Sequence, residues 1–167
     1  MLRDLPLTAM AGPMPRLPAE LAAEGLRRAK AIDCFDFVPS NYSVVYAVLS
    51  ALPRGRFCEW GSGIGVVTGI AQTLGFDACG IEIHPPLAAA SRKLLADFEL
   101  APTITTGDYL QLDCPAEIYF AYCWPGQMPQ VEGRFAVIAP DHARLLICHG
   151  AEDIRCRVKE EWSFQER

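Results

Sequence analysis

The chain has 167 residues, of which 51% are hydrophobic and 21% are charged, and its formal net charge is -5 at pH 7. This balance excludes a disordered chain and provides enough apolar surface for one domain with its own core. It also argues against a nucleic-acid partner, since phosphate binding needs clustered Lys and Arg. No run of about 18 apolar residues is present, so no membrane span is predicted.

The cysteines and the N-terminal residues indicate the cellular compartment of the protein. Seven cysteines are scattered along the chain without a Cys-x-x-Cys pair, a pattern typical of reduced thiols buried as small hydrophobic residues. Neither the cysteines nor the three histidines have the close pairing of zinc ligands, so no metal is predicted. An acid and a proline within residues 1–6 interrupt the apolar run that a signal peptide needs. We therefore expect a cytoplasmic protein.

The chain alternates helical and strand patterns after an irregular start. Residues 1–17 contain three prolines and no clear period, which predicts a poorly ordered leader or a surface arm. Helical periods cover 18–32, 42–52, 64–74, 85–98 and 128–138. Apolar runs typical of strands cover 56–60, 78–83, 103–106, 118–123, 143–149 and 154–160. Such alternation predicts an α/β fold with a mostly parallel sheet covered on both faces.

A glycine-rich turn joins the first of these predicted strands to its helix. Residues 57–65 read Phe-Cys-Glu-Trp-Gly-Ser-Gly-Ile-Gly, so a strand with Glu59 near its end is followed by Gly61, Gly63 and Gly65. Glycines allow positive φ and a close approach of the backbone to a ligand, and the helix start offers free N–H groups. The turn therefore predicts a nucleotide or nucleoside site at the carboxyl edge of the sheet.

The spacing and charge of this turn distinguish two classes of ligand. A dinucleotide fingerprint needs glycine at position 66, where this chain has Val66. The Glu59 carboxylate repels a pyrophosphate and suits a cationic ligand. Turn and acid resemble motif I of the class I S-adenosylmethionine-dependent methyltransferases. The resemblance implies that Glu59 lies near the methionine ammonium of S-adenosyl-L-methionine, and that the backbone passing under the cofactor is that of Gly61, Ser62, Gly63 and Gly65.

Acids also follow the next two predicted strands. Glu82 comes near the end of the second, where a carboxylate can accept hydrogen bonds from both ribose hydroxyls. In the family that the chain resembles, the next residue, Ile83, packs on the adenine. Asp108 and Tyr109 follow the third strand, and the resemblance assigns Asp108 to the adenine amino group. The predicted cofactor, S-adenosyl-L-methionine, thus lies across three neighbouring strand ends.

The segment before the second predicted helix suggests a narrower family. Residues 36–42 read Asp-Phe-Val-Pro-Ser-Asn-Tyr. This layout resembles the short non-SET protein lysine methyltransferases that act on the ATP synthase c subunit and the adenine nucleotide translocase. The resemblance implies that Pro39, Ser40 and Asn41 lie over the methionine end of the cofactor and that Tyr42 faces the substrate. The alternative is that these residues only cap the helix.

The fourth predicted strand should supply the acceptor side. Amine methyltransferases often place Asp or Asn here to hold the target nitrogen, whereas this chain has Tyr122, Cys123, Trp124 and Pro125. A backbone carbonyl of Tyr122 or Cys123 can orient an amine, and the Trp124 ring can contact an ammonium through a cation–π interaction. The predicted catalytic residues are Asn41, Tyr122 and Trp124. The alternative for Trp124 is a lid or core aromatic.

Together these features predict a Rossmann-like class I methyltransferase fold. We expect a three-layer sandwich with strand order 3-2-1-4-5 that is abbreviated at its C-terminal end. An N-terminal arm and helix at 1–34 would precede a cofactor-binding domain at 35–167. The predicted function is N-methylation of an amine such as a protein lysine, with a small-molecule methyltransferase and a non-catalytic binding module as alternatives. The predicted partner is the methyl acceptor, protein or small molecule, and a homo-oligomer is left open.

Overall fold

The computed structural model of the protein describes residues 1–10, 12–34, 37–150 and 153–160. The strands in these ranges are β1 (Leu2–Leu5), β2 (Arg56–Trp60), β3 (Asp77–Glu82), β4 (Thr103–Thr106), β5 (Ile118–Tyr122), β6 (Arg144–His149) and β7 (Asp153–Lys159). The α-helices are α1 (Arg16–Ala29), α2 (Tyr42–Ser50), α3 (Val66–Thr73), α4 (Pro85–Asp97) and α5 (Met128–Ile138). A short 3-10 turn at Pro125–Gln127 leads into α5. None of the described helices has the length and apolar character needed to cross a bilayer.

The strands form one sheet in the order β1-β7-β6-β5-β2-β3-β4. Five neighbouring strands pair in parallel, in the spatial order β4-β3-β2-β5-β6. The strands β7 and β1 are antiparallel additions beside β6. The parallel part has the predicted order 3-2-1-4-5, so the predicted α/β, Rossmann-like architecture is confirmed.

Side chains alternate along the central strands and divide the core into two layers. Phe57 of β2 packs in a cluster with residues of α1, α2 and α3. Its neighbour Cys58 packs on the other face with Val131 and Phe135 of α5. The sheet therefore has helices on both faces, which is the three-layer arrangement expected for buried parallel strands.

The strand β1 corrects the prediction of a poorly ordered leader. Leu2 pairs with Lys159 and Leu5 with Cys156 in antiparallel register. Leu5 packs against the first layer of the core and Leu2 against the second. The leader prediction was wrong here because a four-residue edge strand with only two leucines is too short to show a period. The N-terminal segment thus adds an edge strand to the sheet.

Helix α1 belongs to the same core as the rest of the molecule. Leu21 is fully buried in the cluster that contains α2 and α3. A Cβ atom on Gly25 would lie 2.3 Å from Cγ2 of Val66, so α1 crosses α3 at close range. Residues on both sides of the predicted boundary at 35 therefore share one core. Phe35, at the predicted boundary, and Asp36, the first residue of the segment 36–42, lie outside the described residues.

Candidate functional site

A cavity of about 480 Å³ opens at the carboxyl ends of β2 and β3. Its volume is within the range of small-molecule and cofactor sites. Ten predicted site residues line it: Ser40, Glu59, Gly61, Ser62, Gly63, Glu82, Ile83, Tyr109, Tyr122 and Trp124. The fold thus brings the glycine turn, two strand-end acids and the segment before α2 into one space.

The glycine turn is held between two neighbouring segments. Gly63 has a φ of 53°, and a Cβ atom there would lie 2.4 Å from Cε2 of Phe37. Gly65 has a φ of 82°, and a Cβ atom there would lie 2.0 Å from Oγ of Ser91 in α4. Glycine is required at both positions, first for the left-handed backbone and second for the close approach. The Phe37 ring therefore fixes the segment before α2 against the turn.

The Glu82 carboxylate joins the turn to the next strand. Its Oε2 accepts a hydrogen bond from the Gly63 N–H at 2.6 Å, and its Oε1 accepts one from the His84 N–H at 2.8 Å. The side chain is only 4% exposed. Each carboxylate oxygen has capacity for a second hydrogen bond. Glu82 can therefore hold the turn and accept from a ligand hydroxyl in the cavity at the same time.

The Glu59 carboxyl is buried at the start of α3. Its Oε2 accepts hydrogen bonds from the Thr68 N–H at 2.8 Å and from the Thr68 hydroxyl at 2.5 Å. Burial raises the pKa of Glu59 to about 8, although the Thr68 hydrogen bonds oppose this, and the charge of Glu82 adds to the rise. A cation in the cavity would stabilise the charged form of Glu59.

The cavity has an acidic character and an unsatisfied hydroxyl. Glu59 and Glu82 line it, and neither Lys nor Arg is among the described lining residues. The Ser62 Oγ is buried and makes no hydrogen bond within the part of the chain that the structure describes. Buried hydroxyls in native proteins normally have partners. These carboxylates and the hydroxyl therefore suit a ligand that carries positive charge and hydrogen-bonding groups, and they disfavour a phosphate.

Aromatic side chains form the remaining walls. Tyr109 stacks on Trp60 with ring centroids 5.4 Å apart and an interplanar angle of 5°. Burial, mainly, raises the pKa of Tyr109 to about 12. Tyr122 and Trp124 meet edge to face at 6.5 Å, and half of the Trp124 side chain is exposed. Trp124 thus lies at the mouth of the cavity, as an aromatic lid or substrate contact would.

Three predicted site residues are not among the lining residues. Asn41 is the N-cap of α2, where its Oδ1 accepts from the Val44 N–H at 3.4 Å. The structure therefore shows the capping role that was the alternative for Asn41, and its catalytic role stays a prediction. Gly65 is the N-cap of α3. The Asp108 carboxylate accepts from the Leu110 N–H at 2.8 Å and from the Gln111 side chain at 3.1 Å, so it shapes its own turn.

Other residues line the cavity without having been predicted there. Phe37 and Gln127 are both in the lining, and Gln127 Oε1 accepts from the Trp124 N–H at 3.2 Å. The predicted substrate contact, Tyr42, also lines the cavity, and burial with the Glu59 charge raises its pKa. Phe37 was named only as part of the segment 36–42 that resembles the lysine methyltransferases, and its contact with Gly63 depends on tertiary packing. The one sequence signal that could have placed Gln127 at the cavity is its position directly after Trp124-Pro125-Gly126.

Sequence comparisons give no relative. No protein-family model matches the chain, and no curated protein matches its sequence.

Solved structures share the fold at low sequence identity. The O-methyltransferase TomG from Streptomyces achromogenes, in complex with SAM, has a TM-score of 0.64 and 14% identity over 81% of this chain and 66% of that chain. The SAH-bound methyltransferase PaMTH1 of Podospora anserina has a TM-score of 0.62 and 12% identity over 82% and 63%. An RNA methyltransferase from Salinibacter ruber, in complex with S-adenosyl-L-homocysteine, has a TM-score of 0.57 and 17% identity over 93% and 100%.

These structural matches bear on the fold rather than on the substrate. The chain spans 46% of the length of PH0226 from Pyrococcus horikoshii and 42% of the length of the mitomycin 7-O-methyltransferase MmcR, which also match. It spans 63% of the length of PaMTH1. The named neighbours include small-molecule and RNA methyltransferases, so the expected absence of a nucleic-acid partner has no support from them. The chain has the Rossmann-like fold of the class I S-adenosylmethionine-dependent methyltransferases.

Proposed function

We propose that the chain is an S-adenosyl-L-methionine-dependent methyltransferase whose acceptor is an amine. The observation that carries this proposal is the pair of buried carboxylates, Glu59 and Glu82, on two sides of a glycine turn in one cavity. S-adenosyl-L-methionine has an ammonium, a sulfonium and a ribose diol, which are the groups that such carboxylates recognise.

Residues of the cavity can be assigned to parts of the cofactor. We assign Glu59 to the methionine ammonium and Glu82 to the ribose hydroxyls. Ile83 is 56% exposed beside Glu82 and is assigned to the adenine ring. The Ser62 hydroxyl, which lacks a partner among the described residues, supplies one more hydrogen bond. Asp108 keeps its proposed role at the adenine amino group, for which its turn would have to present a free lone pair.

The acceptor side of the cavity favours an amine. When bound, the cofactor supplies an electrophilic methyl group on a positively charged sulfur. Tyr42, Tyr122 and Trp124 line the remaining space, and aromatic faces attract an ammonium or a positively charged transition state. No lysine or arginine lines the described cavity that would hold a phosphate or carboxylate substrate. The proposed role of these residues is to position the acceptor nitrogen and to exclude water.

Cofactor binding is tested by calorimetry with S-adenosyl-L-methionine and S-adenosyl-L-homocysteine. Both should bind, and Glu82→Gln should weaken each by roughly 10- to 100-fold through loss of charged hydrogen bonds, which corresponds to about 1–3 kcal/mol. Glu99→Gln serves as the matched control, because Glu99 is exposed and is not part of the cavity lining. Absence of binding by the wild-type protein to either compound would refute the proposal.

Acceptor identity is tested by transfer of labelled methyl groups. The protein and labelled cofactor are incubated with a whole lysate that is then split into protein, nucleic-acid and small-molecule fractions. Label in an amine of the protein or small-molecule fraction supports the proposal, and label in RNA alone overturns the amine acceptor. Binding without label in any fraction would favour the second candidate, a non-catalytic module, for which the missing Asp or Asn after β5 is the specific observation.

A further inference from the structure

Three thiols that are far apart in sequence meet on the second face of the sheet. Cys58 is in β2, Cys79 is in β3, and Cys114 is in the segment 107–117 that joins β4 to β5. Their sulfur atoms all lie within 4.8 Å of one another. Cys58 and Cys79 are register partners on neighbouring parallel strands. The cluster therefore arises from strand pairing and from the path of segment 107–117, and it is separate from the cavity.

Two of these sulfur atoms are in direct contact. Cys79 Sγ and Cys114 Sγ are 2.7 Å apart. Two thiolate ligands of one zinc ion, each at about 2.3 Å, lie further apart than this in tetrahedral geometry. A disulfide bond is about 2.05 Å long, so the two sulfur atoms are closer to bonding distance than to the spacing of metal ligands. Both side chains are half-buried, whereas Cys58 is fully buried. An oxidant can thus reach this pair.

The electrostatics of the cluster activate one of the thiols. Hydrogen bonds from the Cys58 and Cys79 thiols, with the positive charge of Arg56, lower the pKa of the Cys114 thiol against the effect of burial. The pKa of Cys58 is raised by its thiol neighbours and by burial. The pKa of Cys79 is also raised, chiefly by its hydrogen bond with Cys114. Thiolates rather than thiols react with peroxides and disulfides. Cys114 is therefore the thiol of the cluster whose thiolate form is favoured.

We propose that Cys79 and Cys114 form a reversible disulfide when the protein meets a peroxide, and that this bond fastens segment 107–117 to β3. The Cys114 thiolate attacks one oxygen of hydrogen peroxide, so that an S–O bond forms, the O–O bond breaks and hydroxide leaves. The Cys79 sulfur then attacks the Cys114 sulfenic acid, and the S–S bond forms as the S–O bond breaks. The departing oxygen takes the Cys79 proton and leaves as water. Two electrons pass from the two sulfur atoms to the peroxide.

The bond would act on the wall of the cavity. Segment 107–117 carries Tyr109, which lines the cavity and stacks on Trp60. Arg134 also contacts the segment, since it donates to the Tyr109 carbonyl at 3.3 Å and to Asp113 at 2.6 Å. Residues 107–117 themselves contain no helix. A covalent link at Cys114 would therefore restrict the segment that positions Tyr109, independently of the proposed methyl transfer.

The test counts thiols before and after treatment of the full chain with stoichiometric hydrogen peroxide. The number of alkylated cysteines, counted by mass spectrometry, should fall from seven to five. One cross-linked peptide pair should contain Cys79 and Cys114, and dithiothreitol should restore all seven alkylated cysteines. Cys114→Ser and Cys79→Ser should each abolish the link, whereas Cys34→Ser should retain it. The two independent variants keep the test valid if one of them fails to fold. Seven free thiols after peroxide, or a link that uses Cys58, would overturn the proposal.

Hydrogen exchange and zinc content, measured on the same samples, test the fastening of the segment and the alternative of a metal site. Hydrogen exchange of amides in 107–117 should slow after oxidation of the wild-type protein and should not change in Cys114→Ser. Unchanged exchange despite the disulfide would overturn the fastening of the segment. One zinc ion per purified chain, with the three thiols of the cluster protected from alkylation until a chelator is added, would replace the disulfide by a metal site and also overturn the proposal.

Discussion

The buried Glu59 carboxyl predicts a specific dependence of stability on pH. Its pKa is about 8 in the folded protein, against an ordinary value of 4.5, mainly because burial disfavours the charged form. The folded state therefore binds this proton more tightly than the unfolded state. Wild-type stability from this site is fully present below pH 4.5 and is lost as the pH rises towards 8. Glu59→Gln stays neutral throughout and escapes the loss.

The size of the effect follows from the two pKa values. At about 1.4 kcal/mol for each tenfold change in proton affinity, the rise to about 8 corresponds to about 5 kcal/mol once the pH exceeds both values. The free energy of unfolding of Glu59→Gln minus that of wild type should therefore rise with pH by about 1.4 kcal/mol per pH unit between pH 5 and pH 7.5. Urea unfolding monitored by circular dichroism at several pH values measures this difference, in which the other titrating groups cancel.

A second variant tests the cause of the shift. The Thr68 hydroxyl and N–H both donate to Glu59 and lower its pKa. Thr68→Val removes only the hydroxyl, so the pH range over which stability is lost should extend upward in that variant. A wild-type minus Glu59→Gln difference that stays flat from pH 5 to pH 8 would refute the reasoning, since it would mean that the carboxyl is ionised and solvated in the folded protein.

Further expectations concern glycines and one aromatic residue. Gly63→Ala should lower stability by about 1–3 kcal/mol in urea unfolding and weaken cofactor binding, because its backbone is left-handed and the Phe37 ring occupies the Cβ position. Gly25→Ala should cost about 1–3 kcal/mol by overpacking α1 on α3, whereas Gly133→Ala in α5, which has open space, should add about 0.5–1 kcal/mol; equal effects at both sites would contradict the close crossing. Trp124→Ala should leave calorimetric binding of S-adenosyl-L-homocysteine within a few-fold of wild type and reduce methyl transfer at least tenfold; unchanged transfer would remove Trp124 from the acceptor side.

Local patterns explain why most of the fold could be predicted. The predicted strands at 56–60 and 103–106 and the helix at 128–138 have the observed bounds, because apolar periodicity and flanking Gly or Pro are local signals. The glycine turn and the acids of the first two strands were predictable for the same reason. A strand end, a turn and a helix start occupy adjacent residues, so their spacing in sequence determines their spacing at the sheet edge.

What the sequence could not predict depends on contacts between distant residues. The contact of Phe37 with Gly63 requires the segment before α2 to fold over the turn. The meeting of Cys58, Cys79 and Cys114 requires the pairing of β2 with β3 and the crossing of a loop. Cysteine spacing along the chain therefore gave no indication of the cluster.

The pairing of β1 with β7 has a consequence for the order in which the molecule is completed. Leu2 is opposite Lys159, so a segment translated early finds its partner only after nearly all the described residues have been made. Until then β1 has no ladder to join, and β7, when it emerges, briefly presents an open edge. Open strand edges promote pairing between molecules, and contacts between distant parts of a chain form slowly. Charged residues on both strands, such as Asp4 and Arg157, which form an ion pair at 3.0 Å, discourage wrong partners during that interval.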